Sequence, residues 1–194
     1  MIILLRHGQT AANASGLLLG RADPPLTELG ERQARAARAA VGRPARLIAS
    51  PLGRAVATAE ALGLEVPVEV DDRWIELDYG EYDGRPLAEV PTEMWDAWRR
   101  NNDYTPPGGE SMTDLGRRVR AACDDLATLA STEDVVVVSH VSPIKAAVAW
   151  ALGVGDEVAW RMFLGVASIT RIAIGPRGPS LRSYNEAHHL DRLT

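Results

Sequence analysis

Residues 2–10, IILLRHGQT, decide the fold. Four apolar residues make a short strand-like run that stops abruptly at Arg6-His7-Gly8: a cation, an imidazole and a residue with no side chain. A buried strand that delivers a guanidinium at its carboxyl end is costly unless an anion meets the charge. Open α/β sheets bind ligands just outside the carboxyl ends of their strands, where Arg6 and His7 would lie. The design recurs at 135–140, VVVVSH, again an apolar run that ends in a histidine. Two such strand ends side by side would bring His7 and His140 into one crevice, the expected functional site.

Around that pair, the 194 residues, 46% hydrophobic and 24% charged, suffice for a real core. A single domain over 1–194 is expected, with an insertion or lid at about 86–110. The net charge of −5 argues against nucleic acid as a partner, so any phosphate site must be locally positive. One cysteine, Cys123, excludes an internal disulfide and suits a reducing compartment. The chain opens directly on a strand, without a basic leader and cleavage site, and no apolar run approaches the roughly 20 residues that span a bilayer. A cytoplasmic protein with no membrane association is expected; a homodimer is left open.

Residues 11–25, AANASGLLLGRADPP, are rich in Ala, Gly, Asn and Pro and read as loop. Thr27 opens a helix to about Val41, with Leu29, Ala36, Ala37, Ala40 and Val41 at helical spacing. RLIA at 46–49 reads as a strand, and Ser50-Pro51 as the N-cap and first position of a helix carrying Arg54, Ala57, Thr58 and Leu62. A strand near Val66 to Val70 precedes DRWIELDYGEYDGRP, an irregular stretch studded with carboxylates. Met94, Trp95 and Trp98 then fall at helical spacing before TPPGGES breaks the chain. Trp95, Trp98, Arg99 and Arg100 are readable as a lid, and equally as an amphipathic helix packed on the core with two solvated arginines.

Met112, Leu115, Val119, Ala122, Leu126 and Leu129 step as one buried stripe, with Cys123 beside it as a small core residue. A strand at 135–139, a helix from Pro143 to Leu152, and two strands, ASITRIAIG and SLRSY, joined by a PRG turn, complete the chain. Strands alternating with helices predict a three-layer α/β/α fold. Its central sheet is mostly parallel, with an antiparallel edge hairpin near the C-terminus.

Guanidinium forks match phosphate oxygens, so Arg6 and Arg54 could together neutralise a phosphoryl group. A neutral imidazole can attack phosphorus and hold it as phosphohistidine, and a second, protonated histidine would stabilise charge on the equatorial oxygens. The departing oxygen needs a proton, and 76–83 offers Glu76, Asp78, Glu81 and Asp83, whose crowding would favour proton uptake. His188 and His189, with Asp191, are readable as metal ligands, against a plain polar tail. His7 and His140 with nearby carboxylates admit the same reading.

LLRHGQT followed by Asn13 resembles the opening motif of the histidine phosphatase superfamily, the phosphoglycerate mutase-like proteins. DPPLTELGERQA (23–34) resembles its PLT-x-x-G-x-x-QA helix start, and SPLGRAVATAE (50–60) its S-x-x-x-RA-x-x-TA segment. ELDYGEYDG (76–84) resembles its E-x-x-x-G-x-x-x-G stretch, PGGES (107–111) its P-x-GES element, and VVVVSH its second histidine. The six motifs stand in the family's order over residues 2–140.

The resemblance implies a phosphoglycerate mutase-like fold, a small phosphorylated substrate, and work without a metal or cofactor. It implies His7 as the phosphorylated nucleophile, Arg6 and Arg54 as the phosphate clamp, His140 as the second pocket histidine and Glu76 as the proton donor. Asn13 matches a polar residue that contacts the phosphoryl group, and Gly20 and Arg21 lie in the loop that approaches the substrate. Where much of the family has SHGG and then a basic residue, this chain has SHVSPIK at 139–145. The backbone N–H of Val141 is expected to remain available to a phosphate oxygen, with Ser142-Pro143 as the helix start.

A mutase must retain its phosphoryl group and exclude water, and the cofactor-dependent mutases that the chain resembles carry extra segments that close the pocket. The short chain favours hydrolysis instead. The expected activity is metal-independent hydrolysis of a phosphomonoester through phosphohistidine. Phosphoglycerate mutase-type phosphotransfer, α-ribazole-phosphate hydrolysis and a non-catalytic phosphate-binding relative are the alternatives.

Overall fold

The computed structural model describes residues 1–191 and 193. The chain runs β1 (Ile2–Arg6), α1 (Ala11–Ala14), α2 (Glu28–Val41), β2 (Arg46–Ala49), α3 (Gly53–Ala61) and β3 (Val68–Val70). It continues through α4 (Thr92–Arg100), α5 (Met112–Ala130), β4 (Val135–Ser139), α6 (Val141–Leu152), β5 (Ile169–Gly175) and β6 (Gly178–Glu186). The strands form one sheet in the order β3-β2-β4-β1-β5-β6. β3, β2, β4 and β1 are parallel, while β5 runs antiparallel to both β1 and β6.

β1 and β4 lie at the centre, buried on both faces, which is why they are unbroken apolar runs instead of alternating ones. Successive side chains point to opposite faces. Ile2, Leu4, Val135 and Val137 therefore pack under α4, α5 and α6, and Ile3, Leu5, Val136 and Val138 under α2 and α3. This is the predicted three-layer α/β/α arrangement, and β5 and β6 make the predicted edge hairpin. In the parallel register Arg6 stands beside Ser139, so both strands deliver a histidine at the next residue.

Two glycine contacts fix the loops around these strand ends. A Cβ on Gly8 would lie 2.3 Å from the carbonyl oxygen of Gly30, and one on Gly30 would lie 2.1 Å from that of Gln9. The loop after β1 thus rests directly on the first turn of α2. Gly80 has φ +55, and a Cβ there would meet the carbonyl oxygen of Pro107 at 2.0 Å.

Three local expectations are corrected. Residues 11–14 form a short helix whose N-cap, Thr10, exchanges hydrogen bonds with Asn13 in a capping box. α3 begins at Gly53, without a Ser50 cap: the Asp23 carboxylate accepts the N–H groups of Gly53 (2.5 Å) and Arg54 (3.2 Å) from across the fold. α6 begins at Val141, two residues before Pro143, because a carboxylate from elsewhere holds its first amides.

The segment at 86–110 carries α4, whose Met94 and Trp98 are buried in the main core. Trp98, fully buried, packs edge-on to Tyr79 (ring centroids 5.5 Å apart) and lies 6.2 Å from Trp160. Arg99 and Arg100 are exposed, so this helix packs as an amphipathic wall.

Candidate active site

His7 leaves β1 with its backbone N–H donating to the Ser139 carbonyl (2.9 Å), which ties the two strand ends together. The residue is 2% exposed. Nδ1 lies 2.7 Å from the Gly8 carbonyl oxygen, which can only accept, so Nδ1 carries the proton and Nε2 keeps its lone pair. Burial, reinforced by Arg6 and Arg54, pushes the His7 pKa well below the ordinary histidine range. The imidazole is neutral and therefore nucleophilic.

His140 faces it with ring centroids 5.1 Å apart. Its Nε2 lies 2.7 Å from Ser50 Oγ, while Nδ1 is buried and has no partner among the described residues. Burial, then His7 and Arg54, also push this pKa well down. In the free protein His140 is neutral, against the expected protonated form, because burial penalises the charged ring and His7, Arg54 and Arg6 oppose a further positive charge.

Arg6 donates through Nη1 to the Leu164 carbonyl (2.7 Å), and its burial lowers its pKa to about 10 despite the nearby Glu76. Arg54, 1% exposed, sits in the first turn of α3 and grips the 20–23 loop: Nη2 donates to the Gly20 carbonyl (2.7 Å), Nη1 to that of Ala22 (2.6 Å). Both Nε atoms are buried and unpaired among the described residues. Thr58 joins this helix to the histidine loop, accepting from Gly8 N–H (3.0 Å) and donating to the Arg54 carbonyl (2.7 Å).

Glu76 lies at the N-terminus of α6. Its Oε2 accepts from Val141 N–H (3.0 Å) and its Oε1 from Ser142 N–H (3.1 Å) and Leu77 N–H (2.8 Å). An N-terminal helix dipole favours a carboxylate in this place. The Val141 amide expected to be open to phosphate is therefore engaged by Glu76.

The aspartates of 76–83 have partners of their own. Asp78 accepts from Gly80 N–H, Asp83 from those of Gly20 (2.7 Å) and Ala22 (2.6 Å), and Glu81 is exposed. Asn13 spends its oxygen on Thr10 N–H (3.1 Å) and hydroxyl (3.0 Å), leaving its NH2 group free of protein partners among the described residues. Arg21 points behind the acid, donating to the Glu76 carbonyl (2.9 Å) and to Glu110 (3.3 Å).

At the chain's end His189 Nε2 donates to the Ala167 carbonyl (2.9 Å), pinning the tail to the loop beside His7. Among the described residues, no group of three or more His, Cys, Asp or Glu side chains is arranged to hold a metal ion. No helix among them is long and apolar enough to cross a membrane.

The sequence pattern of the histidine phosphatase superfamily (branch 1) matches residues 2–187. The chain belongs to that superfamily. It is 38% identical over 198 residues to a bifunctional protein of Mycobacterium tuberculosis, covering 97% of this chain and 54% of that one. The chain thus spans about half the length of that curated relative. A probable phosphoglycerate mutase of Yersinia enterocolitica is 35% identical, with 88% of this chain and 83% of that one covered.

Among solved structures, a mycobacterial glucosyl-3-phosphoglycerate phosphatase complexed with VO3 is similar at TM-score 0.84 and 32% identity, covering 96% of this chain and 98% of that one. A phosphoserine phosphatase of Entamoeba histolytica in complex with 3-phosphoglyceric acid is similar at TM-score 0.89 and 26% identity, over 97% and 98% of the two chains. Family membership and these structures together support a phosphatase.

In this member of the superfamily the five residues singled out from sequence, Arg6, His7, Arg54, Glu76 and His140, do converge. Sequence reading missed Ser50, taken for a helix cap. It also missed Glu110 and Arg118. Glu110 accepts Arg118 bidentately (2.8 and 2.9 Å) and also meets Arg21, so two guanidiniums that reach the Glu76 carbonyl share one carboxylate. Glu110 lies inside the quoted PGGES stretch, which was the available signal.

Proposed function

We propose that this protein is a metal-independent phosphomonoester hydrolase that works through phosphorylated His7. One observation carries the reading. His7 donates through Nδ1 to its own loop, which leaves an Nε2 lone pair in a buried pocket beside two guanidiniums whose Nε donors are unpaired among the described residues. The substrate phosphoryl dianion sits against Arg6 and Arg54, with the Asn13 amide as a further donor. Nε2 attacks phosphorus and the P–O ester bond breaks, while Glu76, which takes up a proton from solvent as the dianion displaces it from its amides, passes that proton to the departing oxygen.

The dianion reverses the local charge that holds His140 neutral, and His140 then stabilises the equatorial oxygens. It also competes with Glu76 for the Val141 and Ser142 amides, which frees a carboxyl oxygen for proton transfer. Water next attacks the phosphohistidine, with Glu76 as base, and returns His7 and phosphate. A small phosphorylated metabolite is the substrate class. The neighbouring phosphatase crystallised with 3-phosphoglyceric acid supports an ester of that size.

Similarity to a probable phosphoglycerate mutase favours, as second reading, transfer of the phosphoryl group to an acceptor other than water. The test is p-nitrophenyl phosphate hydrolysis in excess EDTA, wild type beside His7→Ala, with trapping of an acid-labile phosphoprotein. Chelator-resistant turnover and labelling, both lost in the variant, are expected. Activity that EDTA abolishes, or that survives the substitution, defeats the proposal. Phosphate that appears in an isomeric ester and not in solution would favour the mutase reading.

A further inference from the structure

Lys145 is the only lysine among the 21 Lys and Arg residues of the chain. It lies on α6, four residues beyond Val141 and three beyond Ser142, the two residues whose amides hold Glu76. Helix residues at those spacings share a face, and helical side chains lean back toward the N-terminus. The stem of Lys145 is therefore directed over the first turn of α6, on the side of the pocket where the proton donor lies. Burial lowers its pKa, with Glu76 opposing and Arg6 adding to the effect, which identifies these two as its electrostatic neighbours.

The other cations around the pocket all have acceptors. Arg6 reaches the Leu164 carbonyl, Arg54 those of Gly20 and Ala22, Arg21 that of Glu76, and Arg118 that of Arg73 together with the Glu110 carboxylate. Lys145, half-buried, forms neither a hydrogen bond nor an ion pair with any described residue. A partly buried ammonium without a direct ion-pair partner is costly. Its placement, in a chain that elsewhere uses arginine, calls for a function. A compact charge on a flexible stem suits a monoanion whose position the ligand sets. Arg6 and Arg54 match the two charges of a phosphoryl group; Lys145 matches one more, and it lies toward the leaving group.

We propose that Lys145 receives a carboxylate on the leaving-group part of the substrate, so that the preferred substrates are phosphate esters of small hydroxy acids. This rests on the phosphatase reading above. The test compares 3-phosphoglycerate with glycerol phosphate, which has a hydroxymethyl group in place of the carboxylate, in wild type, Lys145→Met and Lys145→Arg. Wild type should favour the acid. In Lys145→Met the ratio of the two kcat/KM values should fall about ten- to a hundred-fold, mostly through KM, as expected for one charge-assisted hydrogen bond. Lys145→Arg should recover part of it. An equal ratio in wild type and Lys145→Met overturns the assignment.

A second measurement needs no variant and no turnover. Lys145 is the only side-chain amine, so reductive methylation of the wild-type protein, mapped by peptide mass, reports on it alone. 3-Phosphoglycerate should protect Lys145 more than inorganic phosphate does, and equal protection by the two overturns the proposal. Failure of the phosphatase reading is distinguishable: it is read from p-nitrophenyl phosphate and His7→Ala, neither of which involves a carboxylate.

Discussion

The two central strands end alike in sequence and differently in structure. β1 and β4 are parallel neighbours, both buried, and each delivers a histidine into the same pocket. After His7 the chain turns into a glycine loop, and the ring donates to that loop's carbonyl through Nδ1. After His140 the chain enters a 12-residue helix at once, and the ring is held from Ser50 through Nε2. A lone pair is therefore presented by His7, while His140 sits at the end of a helix whose first amides are held by Glu76. In the proposed mechanism the backbone that follows each histidine separates the roles: attack at β1, charge stabilisation and proton delivery at β4.

The sharpest way to break this asymmetry is to remove each ring in turn. His7→Ala should lower kcat on the order of 10⁴-fold or more. His140→Ala should cost about 10²- to 10³-fold and still allow phosphoprotein to be trapped. Equal losses, with neither variant labelled, would make the two histidines a single unit. Glu76→Gln should lower kcat about 10²-fold for alkyl phosphates and much less for p-nitrophenyl phosphate, whose leaving group needs no proton. A uniform loss would place Glu76 in holding α6 alone.

The pH dependence sharpens the same comparison. Both histidines have pKa values pushed well below 6.5, so the neutral, attacking form of His7 persists as pH falls through that value. The acid limb of kcat/KM should accordingly lie below pH 6.5. The unfolded chain binds protons there that the native protein refuses. Stability should therefore be intact above pH 6.5 and fall below it, by about 1.4 kcal/mol per pH unit for each histidine. Denaturant titrations at several pH values check the slope. The smallest effect expected is that of Ser50→Ala: about 1 kcal/mol of stability and less than tenfold in kcat, because the hydrogen bond to His140 Nε2 is lost together with a long one from Leu52 N–H (3.4 Å).

Much of the site was legible because it is local. Arg6-His7 and Ser139-His140 each follow an apolar run, and parallel pairing of such runs necessarily places their ends together. The helix at 28–41 and the stripe from Met112 to Ala122 and Leu126 were likewise carried by periodicity, and the structure buries that stripe. What was misread depends on partners distant in sequence. Ser50 resembles an N-cap, yet Asp23 holds the start of α3 and Ser50 turns to His140, 90 residues away. The carboxylates of 76–83 look crowded in one dimension, yet Glu76, Asp78 and Asp83 are drawn to different backbone amides and Glu81 is exposed.

By itself, the sequence determined that two apolar strands would be buried on both faces, that helices would cover them, and that a cationic, imidazole-bearing pocket would lie at their ends. Those properties follow from hydrophobic periodicity and from the cost of burying charge, which act over a few residues. Only the tertiary structure decided that β4 inserts between β2 and β1, which nitrogen of His7 keeps its lone pair, which amides hold Glu76, and that Lys145, near Glu76, has no hydrogen-bond partner among the described residues. These are matters of hydrogen bonding and charge between segments tens of residues apart, and they are settled only when packing brings the segments together.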